Sequence, residues 1–447
     1  MATTSIYRTP SAGDLNKWTM SFWVKRASTG GHHHLASAVT GGDNTVMKIS
    51  NDDVLYFEEY QSSAVGYLKT NRLFRDLGAW YHIVFVWDTN NVTSGDRMIL
   101  YVNGVRETSF STETYPGSGQ DSLWNSAMQN TIGEKGSAGY FDGSMSHIHF
   151  CDGYAYAASD FGQTDSTSGI WKIKTSPSVS YGTNGFFLKM EDRTNLDLDS
   201  SPNAHTFTTG GTLTATYDNP SNNFCTMNPL NRMGGSSPTW ANGNTTYTQG
   251  GTSQYFPAAG TMGLSAGLWY FEGLYTSGNA AFFGIAGDAS IATNMAGTVN
   301  NYLGWSALQW GLYTETGVYY TNSTNSVTYG VAVAADDIVG VYIDLEANKL
   351  YFAKNGTVMN SGTGISITAA ASTSAGYYVP STSFWASSTT FKLNFGNGYF
   401  GTTAVTSAVA DEGGIGAFEY DPSAGTFDGS SKDFRAICTK NIKAYGG

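Results

Sequence analysis

Twice in this chain an Asn-Gly pair stands between two apolar runs. Asn103-Gly104 lies in RMILYVNGVRETSF, and Asn355-Gly356 lies in DIVGVYIDLEANKLYFAKNGTV. A two-residue type I′ turn needs positive φ at both central positions, which Asn and Gly tolerate best. Each pair therefore commits its flanking runs to an antiparallel hairpin. The surrounding sequence agrees. In WTMSFWVK, Trp18, Met20, Phe22 and Val24 share one face, while Thr19, Ser21, Trp23 and Lys25 share the other. WYHIVFVWD (80–88) is apolar on both faces, as in a central strand covered on both sides. No run has the period of an amphipathic helix of three turns. Between the two strand-rich stretches, residues 215–238 (ATYDNPSNNFCTMNPLNRMGGSSP) are rich in Asn, Pro and Gly. The expected fold is all-β: two antiparallel jelly-roll β-sandwich domains in tandem over 1–214 and 239–400. An irregular linker over 215–238 joins them, and a Gly- and Asp-rich C-terminal extension follows over 401–447.

Composition narrows the partners. Charged residues make up 13% of the chain and the formal net charge is −12, whereas globular chains average about 25% charged. Nucleic acid is excluded as an expected partner, because phosphate binding needs clustered Lys and Arg. No apolar run is long enough to predict membrane insertion. The N-terminal MATTSIYRTPSAGDL has no apolar h-region, so no signal peptide is expected. Cys151, Cys225 and Cys438 are too few and too odd in number for a disulfide framework, and reduced, buried thiols are expected. Cys225-Thr226-Met227-Asn228 and Cys438-Thr439-Lys440-Asn441 share a C-T-x-N core. The echo arises by chance or marks two exit strands that dock in similar ways.

The ordered set W-T-M-S-F-W-V-K (18–25), W-Y-H-I-V-F-V-W-D (80–88), I-L-Y-V-N-G (99–104), T-I-G (131–133) and F-D-G-S-M-S-H-I-H-F (141–150) resembles a laminin-G/concanavalin-A-like domain. Asp199-Ser200-Ser201-Pro202-Asn203-Ala204-His205 is similar to that group's D-S-S-G-N-G-N turn, with Pro202 and Ala204 in place of its two glycines. L-W-Y-F-E (268–272), F-F-G-I-A (282–286), Y-L-G-W (302–305), the hairpin over 337–356 and F-K-L-N-F-G (391–396) resemble an SPRY domain. Y-G-T-N-G-F-F-L (181–188), the Asp-Ser-Ser turn and N-N-F-C-T-M-N-P-L (222–230), in that order, resemble structural proteins of marine tailed bacteriophages. That resemblance implies a virion structural protein, assembled in the host cytoplasm among other virion proteins. It most favours a tail fibre or receptor-binding component that recognises a host surface glycan or protein. It also implies a homo-oligomer, with a trimer favoured. The alternative is a purely structural capsid-decoration, head-fibre or tail-collar protein. A second alternative is a glycan-degrading enzyme.

The residues bear on these readings unevenly. Glucanases of the concanavalin-A-like fold need two carboxylates on one strand face, about 5–5.5 Å apart for retention. Glu58-Glu59 and Glu191-Asp192 are adjacent pairs whose side chains point to opposite faces. Asp197 and Asp199 share a face but lack a third acid. No catalytic residue is assigned, and a non-enzyme is expected. Asp197, Asp199 and Asn203 offer oxygen ligands for Ca²⁺, against which stands a polar turn capped by its own side chains. His147, His149 and Cys151 alternate on one face as an N/N/S set for Zn²⁺ without a fourth ligand. Same-face neighbours about 6.6–6.8 Å apart rarely close a tetrahedron. No metal and no cofactor are therefore expected. His32-His33-His34 is expected in a solvated loop. Trp124, Tyr140, Trp171, Trp240, Trp305, Trp310, Tyr319 and Tyr320 are the candidates for an exposed aromatic surface that stacks on sugar rings. The competing reading puts most of them in the core, and no ligand-binding residue is assigned.

Overall fold

The computed structural model describes residues 3–136, 139–232, 238–248, 255, 257–277, 281–288, 302–323, 325–385 and 389–446. The chain divides into two compact units, Met1–Ala215 and Thr216–Gly447. Each is a pair of packed β-sheets. Helix is confined among the described residues to Ala158–Phe161, Thr439–Tyr445 and a few single 3₁₀ turns.

In the first unit a six-stranded sheet runs in the order Phe186–Leu188, Gly143–Asp152, Lys17–Arg26, Tyr81–Asp88, Met98–Val102, Val105–Arg106. Against it packs an eight-stranded sheet whose centre is Ala64–Leu73, Val54–Tyr60, Asp43–Ile49 and His33–Thr40. The expected alternation is what fills the core. Trp18, Met20, Phe22 and Val24 are buried with Ile83, Phe85 and Trp87 from the paired strand and with Phe57 from the facing sheet. Trp18 and Trp87 sit directly opposite each other, rings stacked 6.4 Å apart. The other face of this sheet is covered too. Ala158, Phe161, Tyr156, Trp171 and Tyr181 lie over Val84, Val86 and Cys151. That layer is why WYHIVFVWD is apolar on both faces.

Both Asn-Gly turns form as expected. Asn103 and Gly104 have φ of 48° and 83°, and Asn355 and Gly356 have φ of 48° and 77°. Each Asn also spends its side chain alike: Asn103 Oδ1 accepts from the His82 N–H, and Asn355 Oδ1 from the Ile338 N–H, both at 2.8 Å.

The second unit packs a seven-stranded sheet on a nine-stranded one. The first is centred on Val379–Phe384, Ala281–Ala286, Gln309–Tyr313 and Val318–Thr321. The second is centred on Thr390–Asn394, Leu268–Ser277, Ile338–Asp344 and Lys349–Lys354. Trp269, Phe271, Phe283, Ile285, Val341, Ile343, Leu350 and Phe391 fill the space between them.

Three expectations change here. Residues 216–232, expected within a linker, are built into the second unit: Cys225 and Met227 enter its core, and Met227–Arg232 pairs with Ala258–Gly260. The expected C-terminal extension is a third layer. Phe418, Phe427, Phe434, Ala436 and Cys438 pack on Tyr270, Tyr342, Tyr351 and Phe224, covering the outer face of the nine-stranded sheet. Its strand Arg435–Ala436 pairs in parallel with Trp269–Tyr270, a departure from an all-antiparallel plan. The two C-T-x-N segments, read as a chance echo or as exit strands docking in similar ways, are direct neighbours. They pair with each other: Phe224 bridges Cys438, the Cys225 N–H donates to Ile437 O, and the Thr439 N–H donates to Asn223 O, both at 2.9 Å. Cys225 belongs to the core between the sheets and Cys438 to the layer under the tail, and both are free, buried thiols, as is Cys151.

Candidate functional site

Strand parity in the seven-stranded sheet decides which aromatic rings face out. Phe283 and Ile285 point to the core, so Phe282 and Ala286 point away from it. On the neighbouring strand Trp310 and Leu312 point inward and Tyr313 outward; on the next, Tyr319 packs against the core and Tyr320 faces out. Phe282 and Tyr313 are direct cross-strand partners, stacked 5.0 Å apart. Residues 302–305 then lie across this row. Tyr302 stacks on Phe282 at 5.1 Å and meets Tyr320 edge-on at 5.3 Å. Trp305 meets Tyr302 edge-on at 5.7 Å, and Tyr255 meets Phe282 at 5.6 Å. Trp305 is 45% exposed, while Tyr255, Tyr302, Tyr313 and Tyr320 are half-buried.

The crossing segment is held rather than draped. Gly304 has φ of 107°, and a Cβ there would fall 2.5 Å from Tyr320 O, so only glycine lets the backbone pass this close. The Leu303 N–H donates to Ser383 Oγ at 2.8 Å, and Tyr302 OH donates to Ser323 O at 2.8 Å. Asp288 Oδ2 accepts from Ser306 Oγ at 2.7 Å and from Gln309 Nε2 at 2.9 Å. Burial raises the hydroxyls of Tyr302 and Tyr313 above their usual range and pushes Tyr255 up to about 12, with Glu315 adding to the effect on Tyr255 and Tyr313. The phenols stay protonated and uncharged. The result is a platform of uncharged aromatic rings, with the Tyr302 and Tyr313 hydroxyls turned to Ser323 O and Glu315, suited to stacking on a sugar ring or an aromatic side chain.

The outer face of the first unit's eight-stranded sheet differs. Lys48, Tyr56 and Lys69 stand in register across three strands. Both ammonium groups lie over the Tyr56 ring, at 5.0 and 5.1 Å, and Lys69 also pairs with Asp52 at 2.8 Å. This is a charged ladder satisfied within itself.

Of the eight aromatic candidates, Trp305 and Tyr320 reach the platform. Trp124 and Trp310 are core residues, and Tyr319 packs against the core. Trp240 stacks on Tyr247 at 4.3 Å, Trp171 stacks over His82 at 5.9 Å, and Tyr140 is half-buried. Phe282, Tyr302, Tyr313 and Tyr255 were missed. Phe282 and Tyr313 were open to a period-two reading of AFFGIA and QWGLY once the inward residues were fixed, whereas Tyr302 and Tyr255 lie outside those strands.

The metal candidates do not converge. His149 Nδ1 is 3.0 Å from Tyr181 OH and its ring stacks 3.9 Å from Phe187. His147 has φ of 48° in a bulge between Ser146 and His149, and its Nδ1 meets Ser146 Oγ at 2.7 Å. The bulge breaks the even alternation that would have aligned the two rings with Cys151. Asp199 is a turn cap: Oδ1 accepts from the Phe187 and Ser201 N–H groups and Oδ2 from His205 N–H, at 2.8–2.9 Å. Asp197 Oδ2 accepts from Thr209 Oγ1, and Asn203 Nδ2 donates to Gly182 O and Gly185 O. Among the described residues no cluster of three or more His, Cys, Asp or Glu is arranged to hold a metal ion. His33 and His34 are buried at the start of a strand, not in a solvated loop, and burial pulls each down to about 4.

Glu59 is buried and Glu58 half-exposed, on opposite faces as expected. Ser21 Oγ lies 2.9 Å from His82 Nε2 in the covered face of the first unit. Trp171 Nε1, a donor only, occupies His82 Nδ1 at 3.0 Å. The His82 proton is therefore on Nε2 and is given to Ser21, so the imidazole cannot take the serine proton as a catalytic base would.

Residues 2–158 match the family model of the Concanavalin A-like lectin/glucanases superfamily, of laminin-G type. Residues 269–398 match the SPRY domain. The chain thus carries in tandem two β-sandwich modules of carbohydrate- and protein-binding kinds. No curated protein matches it. Among solved structures, the SPRY domain of human HERC1 is 16% identical, with a TM-score of 0.29, over 37% of this chain and 96% of that one. The TRIM65 PSpry domain is 12% identical, with a TM-score of 0.28, over 38% and 91%. The native heptameric SAP-like pentraxin from Limulus polyphemus is 16% identical, with a TM-score of 0.28, over 40% and 90%.

Proposed function

We propose that this chain is a non-enzymatic binding component of a tailed-bacteriophage virion that recognises a host surface glycan or protein through the aromatic platform of its SPRY module. The observation that carries the binding half is Trp305, 45% exposed and edge-on to Tyr302, which itself packs on Phe282 and Tyr320 on an outward sheet face. A large ring held in water on a rigid aromatic base offers apolar area that a sugar ring or a partner's side chain can cover at little ordering cost. The virion half is supported by the order of Y-G-T-N-G-F-F-L, the Asp-Ser-Ser turn and N-N-F-C-T-M-N-P-L. The low charge of the chain suits recognition by stacking and hydroxyl contacts. A homo-oligomer, with a trimer favoured, would multiply a weak single-site affinity.

The test has two arms. Purified protein should bind members of a panel of host-envelope glycans and proteins, and Trp305→Ala should weaken that binding at least tenfold, about 1.4 kcal/mol. No binding across the panel, or a variant that binds as the wild type does, defeats the platform reading. Locating the chain on the virion tests the rest. A small multiple of three, six or twelve copies favours a fibre or tail tip, while hundreds favour capsid decoration.

A further inference from the structure

The loop that carries Trp305 is zipped to the turn between the strands Val318–Thr321 and Asn325–Thr328. The Asn322 N–H donates to Ser306 O at 3.0 Å, and the Ser323 N–H donates to Gly304 O at 3.1 Å. Asn322 has φ of 53°, a left-handed backbone that Asn tolerates better than most residues. These bonds hold the exposed Asn322 next to the exposed Trp305 at the rim of the platform. The sheet beneath lets the loop lie this low. Ser381, Gly284, Gly311, Tyr320 and Ser326 follow one another in register across five strands. A Cβ at Gly311 would fall 2.4 Å from Leu303 O, so the small residues of this row make the room that the crossing segment fills.

Charge is the second observation. Between Asp288 and Asp336 the sequence holds 47 residues and one charged side chain, Glu315, where the chain's average of 13% would place about six. Glu315 already accepts from Tyr313 OH. An acidic ligand would find no Lys or Arg in this segment, on a chain whose net charge is −12. Protein partners are steered and registered by complementary charge, and this rim offers almost none to read. A pyranose needs neither. It presents a flat C–H face to an indole and a ring edge of hydroxyls that donate and accept, as the two ends of an amide also do.

We infer that Trp305 and Asn322 form a subsite for an uncharged sugar, the pyranose stacking on the indole and the amide bonding its hydroxyls. The inference rests on the platform reading above and commits it to a neutral glycan rather than an acidic glycan or a protein. The test uses the full chain with its tryptophan indoles labelled with ¹⁵N. Methyl β-galactopyranoside, methyl β-glucopyranoside and methyl α-mannopyranoside are titrated beside sodium glucuronate, with sodium chloride matching the ionic strength. One indole resonance, the one missing from Trp305→Phe, should shift saturably with at least one neutral glycoside, at least tenfold more tightly than with glucuronate. Asn322→Gly, which removes the amide and tolerates the positive φ, should weaken that response at least tenfold. A glucuronate response as tight as the neutral ones, or an Asn322→Gly protein that responds like the wild type, overturns the subsite. If no neutral glycoside moves the resonance while Trp305→Ala abolishes binding of a host-envelope protein, the subsite falls and the platform stands as a protein-binding surface. If no binding of any kind depends on Trp305, both readings fall.

Discussion

The two units share a plan and differ in what they bury. Each has two sheets, one of which is roofed by a following segment: residues 153–182 in the first unit and the C-terminal tail in the second. In each, the other sheet's outer face is more open, a charged ladder in the first and an aromatic platform in the second. Beneath the roofs the titratable groups are opposite in kind. All seven histidines lie in the first unit. Several of them are buried and neutral. The second unit instead buries a carboxylate under its tail. Glu272 accepts from Asn394 Nδ2, the Glu419 and Tyr420 N–H groups and Tyr270 OH, at 2.8–3.2 Å, with no ion-pairing cation among the described residues. One plan therefore closes its second layer with imidazole and indole, the other with an acid gripping the backbone of the tail.

The largest expected effect comes from removing a roof. Deleting 401–447 uncovers Tyr270, Tyr342 and Tyr351 and removes Phe418, Phe427 and Phe434. Each buried Phe is worth about 1.5–3 kcal/mol, so together they rival the roughly 5–15 kcal/mol stability of a whole domain. Calorimetry of the truncated chain should show the first unit's transition unchanged and the second unit's cooperative transition lost. A second transition within a few degrees of the full-length value would mean that the tail is an ornament.

Next in size is the response to pH. Burial lowers His82 to about 3 and His33, His34 and His147 to about 4. A histidine that binds its proton more weakly when folded stabilises the fold fully above pH 6.5. It gives up that contribution as pH falls toward 4, at about 1.4 kcal/mol per tenfold change in proton affinity. Glu272 runs the other way. Burial raises it to about 7 against the pull of its four donors. Its contribution is full below about pH 4.5 and is lost as pH rises through 7. Acidification from 7 to 4.5 should lower the first unit's stability by several kcal/mol, the four histidines outweighing the single buried Glu59, which burial shifts the other way. Glu272→Gln should cost the second unit about 1–3 kcal/mol and flatten its response between pH 4.5 and 7. A first unit insensitive over that range would remove the contrast.

Part of this design is legible in the sequence, and the reason is local. The two Asn-Gly turns, and Trp18, Met20, Phe22 and Val24, declare themselves through positive-φ residues and period-two alternation. The roofs do not. Phe418, Phe427 and Phe434 stand far apart among Gly and Asp, with no period, because each plugs one spot on a distant sheet. Composition alone makes such a segment look like a loose tail. The paired C-T-x-N segments were visible as an echo, but their partnership is a contact across more than 200 positions. The platform was half legible: Trp305 and Tyr320 lie on it, while Trp310 and Tyr319 turn inward, because which parity faces the core depends on the opposite sheet.

The smallest effect tests the comparison at the hairpins themselves. A Cβ at Gly104 would fall 2.4 Å from the Trp171 ring, and one at Gly356 would fall 2.5 Å from the Tyr420 ring. Each Asn-Gly turn is thus capped by an aromatic residue of its unit's roof. Alanine at either glycine meets the cost of positive φ, about 1–3 kcal/mol, and pushes a ring aside. The consequences then diverge. Displacing Trp171 breaks its hydrogen bond to His82 Nδ1 and leaves a buried imidazole acceptor unpaired. Displacing the Tyr420 ring leaves its backbone N–H free to stay on Glu272. Gly104→Ala should therefore cost the first unit about 1 kcal/mol more than Gly356→Ala costs the second, measured as separate denaturant midpoints. Equal costs would show that the turns alone matter and that the indole–imidazole contact contributes nothing to holding the first roof down.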